Sequence, residues 1–367
     1  MKKRKVTNVG ELYAAINEPA DEPVSIVLAP GTYTLFDNGP ETRGRLELRK
    51  DMSLSGVRGN RSKVTIDAHL LPKSSFEMSF VGAGAQKTGA IRIGRGNHTI
   101  EWLTVLGNTF SVAGIAADLI DTDTRDTVIS VEQVASSGSL RGLDVRNIGT
   151  AMAGRIIVAE ILDNDFSGKL DEDPKQSEAI RLVNFIGAEG GKIHAVMSGN
   201  TFHDSPVGCF MGNNRSNSGL VEVHSTSDEF KNNEAGCVIV GAIVSTGTTR
   251  SATTIFDAHE SKFTKNTGSF PSTSPFPKPR GGIVAVGAEI LAGTTASDNT
   301  AVIVLRDCKV SDNEDKDFEA FGARSTGSIA GTTNNKVTIS LKQGNAEVVA
   351  PPPDAATPPN TVTVIHS

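Results

Sequence analysis

Imidazoles and carboxylates recur at matching positions of a repeated pattern in the middle of this chain, and together they could move protons. The pattern places His194, Glu222, His224, Asp257 and Glu160 on alternate residues of short apolar stretches, with His259 two residues beyond Asp257. Alternate residues of a strand share one face, so these side chains point the same way. Aligned repeat over repeat, they form two outward columns. The first reads Val158, His194, Glu222, Ile255, and the second Glu160, Val196, His224, Asp257, Val304. Four of the seven histidines, counting His203, fall within this stretch. A histidine titrates near neutrality and can act as a general base, and an adjacent carboxylate can orient it or hold a cation. His224 or His194 is then the candidate base, with Glu222, Asp257 and Glu160 as its partners. The other reading is a solvated ladder in which imidazoles and acids offset one another, since strand exteriors are polar by default. No HExxH or HxH spacing occurs, so no zinc site is expected; a calcium ion on the carboxylates remains open.

The elements that would position these residues are coils of a solenoid. The clearest copies are IHAVMSGNTFHDSPVGCFMG from Ile193, VEVHSTSDEFKNNEAGCVIVG from Val221, TIFDAHESKFTKNTG from Thr254 and AVIVLRDCKVSDNEDKDFEAFG from Ala301. Strands this short cannot bury a face alone and must lean on their neighbours to complete a core. A Phe in each copy supplies the register, so Phe110, Phe166, Phe202, Phe230, Phe263 and then Val310 are expected to stack inward. Trp102 is assigned to the outward column below Val158, either as a sugar-stacking ring or as a residue packed under a connection.

The last strand of each coil offers a second face. With Ile91, Leu143, Ile180 and Cys209 inward, Arg92, Asp118, Asp144, Arg146 and Arg181 fall outward with alternating sign, as an exposed salt-bridge ladder would. Two long connections, 167–178 and 264–281, could wall a groove or simply wander. Arg181 follows the first and Arg280 ends the second, so Arg181, Arg146 and Arg280 could fork onto the carboxylates of an acidic sugar. Trp102 and His259 complete the candidate substrate-binding set.

Composition narrows the classes. A net charge of −6 argues against a nucleic-acid surface, and the basic run at 2–5 is read as a solvated tail. No apolar run is long enough for a membrane helix or for a secretory signal behind the basic start, so a secreted or periplasmic location would require a leader removed from this chain. Three cysteines make no disulfide framework, and Cys209 and Cys237 are read as core residues at equivalent positions. The whole chain, 1–367, is expected to be one domain. Its cap region is 1–20, with Val9, Leu12, Ala15 and Ile16 on one helical face behind Asn8 and Glu11, and a Pro-rich strap with a final strand occupies 350–367.

The helix ending in AAIN, IVLAPGTY at 26–33, MSLSGVRG from Met52, VTID from Val64 and the Asn-bearing turns NNRSNSG, KNNEAG and TKNTG together resemble the pectin-lyase-like superfamily. The resemblance covers nearly the whole chain and implies an all-β fold, a right-handed parallel β-helix with an N-terminal amphipathic helix cap. It also implies a carbohydrate-related role: cleavage of an acidic, uronate-containing polysaccharide by β-elimination or hydrolysis. A non-catalytic β-helix that binds a glycan or protein partner through its outer face is the alternative. Pectate-lyase-like members carry WxDH and RxPxxR, and polygalacturonase-like members carry NTD, DD, GHG and RIK. None of these is present here, so neither mechanism transfers residue by residue. GAGAQKTG from Gly82 lacks P-loop spacing and reads as a Gly/Ser loop.

Overall fold

Short strands at the same place in successive repeats pair with one another, and the chain climbs one strand per coil. The computed structural model describes residues 1–76, 88–108, 110–118, 125–168, 177–267, 280–313, 316–325, 331–342, 348–349 and 359–366. Their strands form three long sheets of 12, 10 and 9 strands, here named A, C and B respectively, with every pairing parallel. One coil runs through Lys192–Ser198 in sheet A, Thr201–His203 in sheet B and Val207–Asn214 in sheet C before Leu220–Thr226 opens the next. The chain is therefore a parallel β-helix. Its core lies between the three sheets, where buried Val, Ile, Leu, Ala and Phe meet in one continuous cluster.

A single left-handed residue turns sheet A into sheet B in the coils from Gly96–Glu101 to Thr300–Arg306. Trp102, Gln133, Asp163, Ser227, Glu260 and Asp307 all have φ between 52° and 59°, and Gly199 has 68°. This conformation costs a non-glycine residue energy, so it persists because the stack fixes it. Each corner amide donates onward: Gln133 N to Leu162 O at 3.0 Å, Ser227 N to His259 O at 3.0 Å. Polar side chains just past other bends do the same. Asn164 Nδ2 donates to Asn200 Oδ1 at 2.9 Å, and Asn200 Nδ2 to Asp228 Oδ1 at 2.8 Å. Asn233, Asn266 and Asn313 form a second ladder at 3.1 and 2.9 Å, and Asn299, Asn335 and Asn360 a third at 2.8 and 2.7 Å. An amide carries both donor and acceptor, so a column of them satisfies buried bends without water.

The aromatic column is present with one correction. Phe166, Phe202, Phe230 and Phe263 pair in register, with ring centroids 6.2, 5.0 and 4.7 Å apart, and Val310 follows. Phe110 is not among them. It is 48% exposed in the turn beyond Thr104–Leu106, where Asn108 Oδ1 accepts its amide, and Ser136 takes the position under Phe166. Cys209 and Cys237 are buried neighbours in sheet C, and burial together with Cys237 pushes the Cys209 thiol up.

The basic run at 2–5 is not a free tail. Lys2–Val6 is the first strand of sheet A, paired with Val24–Leu28, and it turns Arg4 and Val6 inward while its lysines face water. Helix Val9–Asn17 follows, with the Asn8 side chain accepting from Glu11 N at 3.0 Å and Leu12, Tyr13, Ala15 and Ile16 buried in the main core. Thr361–His366 is the last strand of sheet A. The strap at 350–358, most of both long connections and all of GAGAQKTG but Thr88 and Gly89 lie outside the described residues.

Candidate functional site

Sheet A brings four of the five candidate catalytic residues into contact. His194 pairs with Glu222, and His224 with both Val196 and Asp257, so both expected columns stand in register. His194 Nδ1 lies 2.9 Å from Glu222 Oε2, His224 Nε2 3.4 Å from Glu222 Oε1, and His224 Nδ1 3.8 Å from Asp257 Oδ2. Arg306 Nη2 donates to the same Asp257 oxygen at 2.9 Å, an ion pair that sequence reasoning did not foresee. Glu160 shares His224's column but is separated from it by Val196, roughly 9 to 10 Å away at the spacing of two strands. His259 pairs with Thr226 and Arg306, and its Nε2 lies 3.4 Å from Asp307 Oδ2. The His224 side chain is 52% exposed and that of Glu222 30%, so the row lies on an open sheet. Chemically it is one hydrogen bond, His194 to Glu222, extended by the longer charge contacts of His224.

Sheet C differs. Its outward residues were expected to form an exposed ladder; instead Arg92, Asp118, Asp144, Arg146 and Arg181 are all buried, none above 3% exposed. Arg92 donates from Nε to Asp118 at 3.0 Å and from Nη1 to Glu47 at 2.9 Å. Arg146 meets Asp144 at 2.7 Å and Thr88 Oγ1 at 3.0 Å. Arg141 holds Glu178 at 2.5 Å and Asp144 at 3.3 Å. Burial alone would raise the Asp144 carboxyl, but Arg146, Arg141 and Arg181 outweigh it and hold it below the usual carboxylate range. Arg181 is pushed down to about 10 by burial and by Arg141 beside it. Its guanidinium carbon also sits 5.7 and 5.8 Å from the ring centroids of Phe185 and Phe210, within cation–π range. Asp144 Oδ1 is buried with no hydrogen-bond partner among the described residues.

The same outward column changes character partway up the stack. It reads Glu47, Arg92, Ala116, Asp144, Arg181 and then Phe210, Val238, Val284. From the Phe210 strand onward, the outer side of sheet C is mainly an apolar cluster of Val207, Val238, Val240, Ile243, Val284 and Val286, with one buried ion pair, Arg324 to Glu289 at 2.7 Å, and Glu319 next after Val284 in the column.

Trp102 does not stand below Val158. Asn97 occupies the corresponding place in its strand, and Trp102 is the left-handed corner residue after it. Arg280 lies 3.5 Å from Glu234 at the start of Gly281–Ile290. Arg141 and Glu178 escaped the sequence reading because alternation gives them the same parity as inward Leu143 and Ile180. The Arg141–Asp144 pair, three residues apart, was the available signal. Two cavities lie near these groups. One, of about 10 Å³, is lined by Arg95, Asp118, Arg146 and Met152 among others; the second, of about 370 Å³, is an open cleft at the corner with Asn200, Asp228, Glu229 and Glu260. Neither is lined by the sheet A histidines. Among the described residues, no group of three or more His, Cys, Asp or Glu is placed to hold a metal, and no helix is long and apolar enough to cross a membrane.

No protein-family model and no curated protein sequence matches the chain. Solved structures do resemble it. The A-module of the Azotobacter vinelandii mannuronan C-5 epimerase AlgE4 is similar at 13% identity and a TM-score of 0.42, covering 99% of this chain and 100% of that one. The A-module of AlgE6 from the same organism gives 14% and 0.39, with 98% and 94% covered. The pectate lyase Pel9A gives 13% and 0.48, with 97% and 79% covered. The fold assignment rests on the strand register itself.

Proposed function

We propose that this chain is a carbohydrate-active β-helix that binds an acidic, uronate-containing polysaccharide, with the arginine–carboxylate cluster on the outer side of sheet C as its recognition centre. One observation carries the reading: the lower coils of that side bury a connected cluster of arginines and carboxylates, where the upper coils are mainly apolar and bury a single pair, Glu289 with Arg324 at 2.7 Å. Burying ion pairs costs several kcal/mol per ion before pairing returns it, and an apolar replacement is commonly as stable. The upper coils of this chain contain such a replacement in Phe210, Val238 and Val284. Charges kept at that cost are candidates for function rather than for stability. In this reading binding displaces what covers the cluster, after which Arg146 and Arg181, buried in the free chain, fork onto sugar carboxylates and the Asp144 oxygen accepts from a sugar hydroxyl. Arg280 extends the cationic groups toward the next coil, and helix Val9–Asn17 closes the first one.

A second reading keeps catalysis on sheet A, by elimination or hydrolysis, with His224 or His194 as base. The continuous His194, Glu222, His224 contact favours it. Its openness to water counts against it, because acid–base chemistry gains most where water is excluded.

The experiment is a panel of uronate polymers and one neutral polymer, assayed for binding and for unsaturated ends by absorbance, with and without calcium. Arg181→Lys keeps the charge and loses the fork; weaker binding to the acidic polymers alone is the expected result. Equal binding of neutral and acidic polymers would contradict the proposal. Activity abolished by His224→Ala and untouched by Arg181→Lys would move the site to sheet A.

A further inference from the structure

The outer side of sheet A has a charge gradient that the glycan reading does not use. One outward column, followed strand by strand, reads Ser55, Glu101, Glu132, Leu162, Ser198, Thr226, His259, Arg306, Lys342. It begins acidic, is neutral at its middle and ends basic. One column further along, past Glu160, Val196, His224 and Asp257, runs Asn97, Val128, Val158, His194, Glu222, Ile255, Val302, Thr338. Val128 and Val158 are 39% and 36% exposed, and Val196 in the column between is 49% exposed, which is high for valines on a regular sheet.

We infer that this face binds a second copy of the chain, with the two β-helices antiparallel about a two-fold axis that runs along the strands between Lys192–Ser198 and Leu220–Thr226. Such an axis keeps each column over itself and reverses its order. Glu132 then meets Arg306, Glu101 meets Lys342, Leu162 meets His259, and Ser198 meets Thr226. In the further column His194 meets Glu222, Val158 meets Ile255, and Val128 meets Val302. The other two-fold axis in the plane, along the stack, would set each strand against itself reversed, so that Glu101 meets Asn97, Glu132 meets Val128, Arg306 meets Val302 and Lys342 meets Thr338, and no acid of the column faces a base. Charge therefore selects the antiparallel arrangement, as an isologous interface requires of a self-complementary patch. One opposition is unfavourable, Glu160 against Asp257, and Arg306 already neutralises Asp257 at 2.9 Å.

The size is sufficient. Twelve strands spaced by about 4.8 Å and about seven residues long give a face of roughly 1,000 Å². A stable interface needs about 800 Å² from each partner. This inference is independent of the sheet C proposal, which concerns a different side of the coil.

The test is light scattering after size exclusion on the full chain at tens of micromolar. The wild type should be a dimer. Glu101→Lys with Glu132→Lys should dissociate it, as should Arg306→Glu with Lys342→Glu, and an equimolar mixture of the two variants should associate again. Far-UV circular dichroism checks each fold. If a reversal does not fold, Glu101→Gln with Glu132→Gln should still raise the dissociation constant roughly tenfold. A monomeric wild type, a dimer indifferent to these changes, or a mixture that stays monomeric would each overturn the inference.

Discussion

Sheets A and C obey the same alternation and the same coil stacking, yet their outer sides are opposites. On sheet A, the His194, Glu222, His224 and Asp257 side chains range from 17% to 52% exposed. On sheet C, the Arg141 and Asp144 side chains are 0% exposed and that of Arg146 is 1%. Alternation decides which side of a strand a residue takes. Whether that side meets water is decided by what lies outside the strand, and the energetic meaning of a charge follows from that second decision.

The sharpest way to break this comparison is to remove one partner from each face. Arg141→Ala strands Glu178 and Asp144 in a buried setting, so the denaturant midpoint should fall by the equivalent of about 3–5 kcal/mol. Arg306→Ala on sheet A removes a part-buried pair with Asp257, whose other neighbours face water, and should cost much less, about 1 kcal/mol. Equal losses would erase the distinction. A smaller effect belongs to the bends: Asn200→Ala leaves Asn164 and a backbone amide without their acceptor, at about 1–3 kcal/mol by thermal melting.

Acidity separates the sheet C carboxylate from a histidine of sheet B more gently. Asp144 is held below its ordinary range in the fold: burial raises it, and its arginines more than reverse that. Its contribution is therefore present above the unfolded carboxylate value and lost as pH falls through the lower, folded one. His203 has the opposite sign. Its bond to Asp165 raises it, burial opposes, and Asp204 adds to the rise. That contribution is complete below the ordinary histidine range and lost as pH rises through the raised value. Melting His203→Asn alongside wild type across this range should show the two curves converging at high pH. A constant gap would contradict the assignment.

Much of the geometry was legible because two periodicities coincided. Alternation set the faces and the repeated Phe set the register, so both sheet A columns from Val158 to Val304 fall where the sequence places them. Phe110 shows the limit: it follows the sheet B strand of its coil, in which Val105 takes the stacking position, so the residue-type match was coincidence. The corner column was illegible, because Trp102, Gln133, Asp163, Gly199, Ser227, Glu260 and Asp307 share a backbone angle and no chemistry. Burial of the sheet C charges was illegible for a different reason. Strand patterns do not encode what covers a face, so an Arg/Asp alternation reads as exposed until the surroundings are known.

The most direct measurement of the central claim is the affinity of a uronate polymer for the wild type, Arg181→Lys and His224→Ala, all confirmed as folded. The account expects Arg181→Lys to bind roughly tenfold more weakly, the loss of a charge-assisted pair, and His224→Ala to bind as the wild type does. Unchanged binding in Arg181→Lys with loss in His224→Ala would place recognition on sheet A and contradict it.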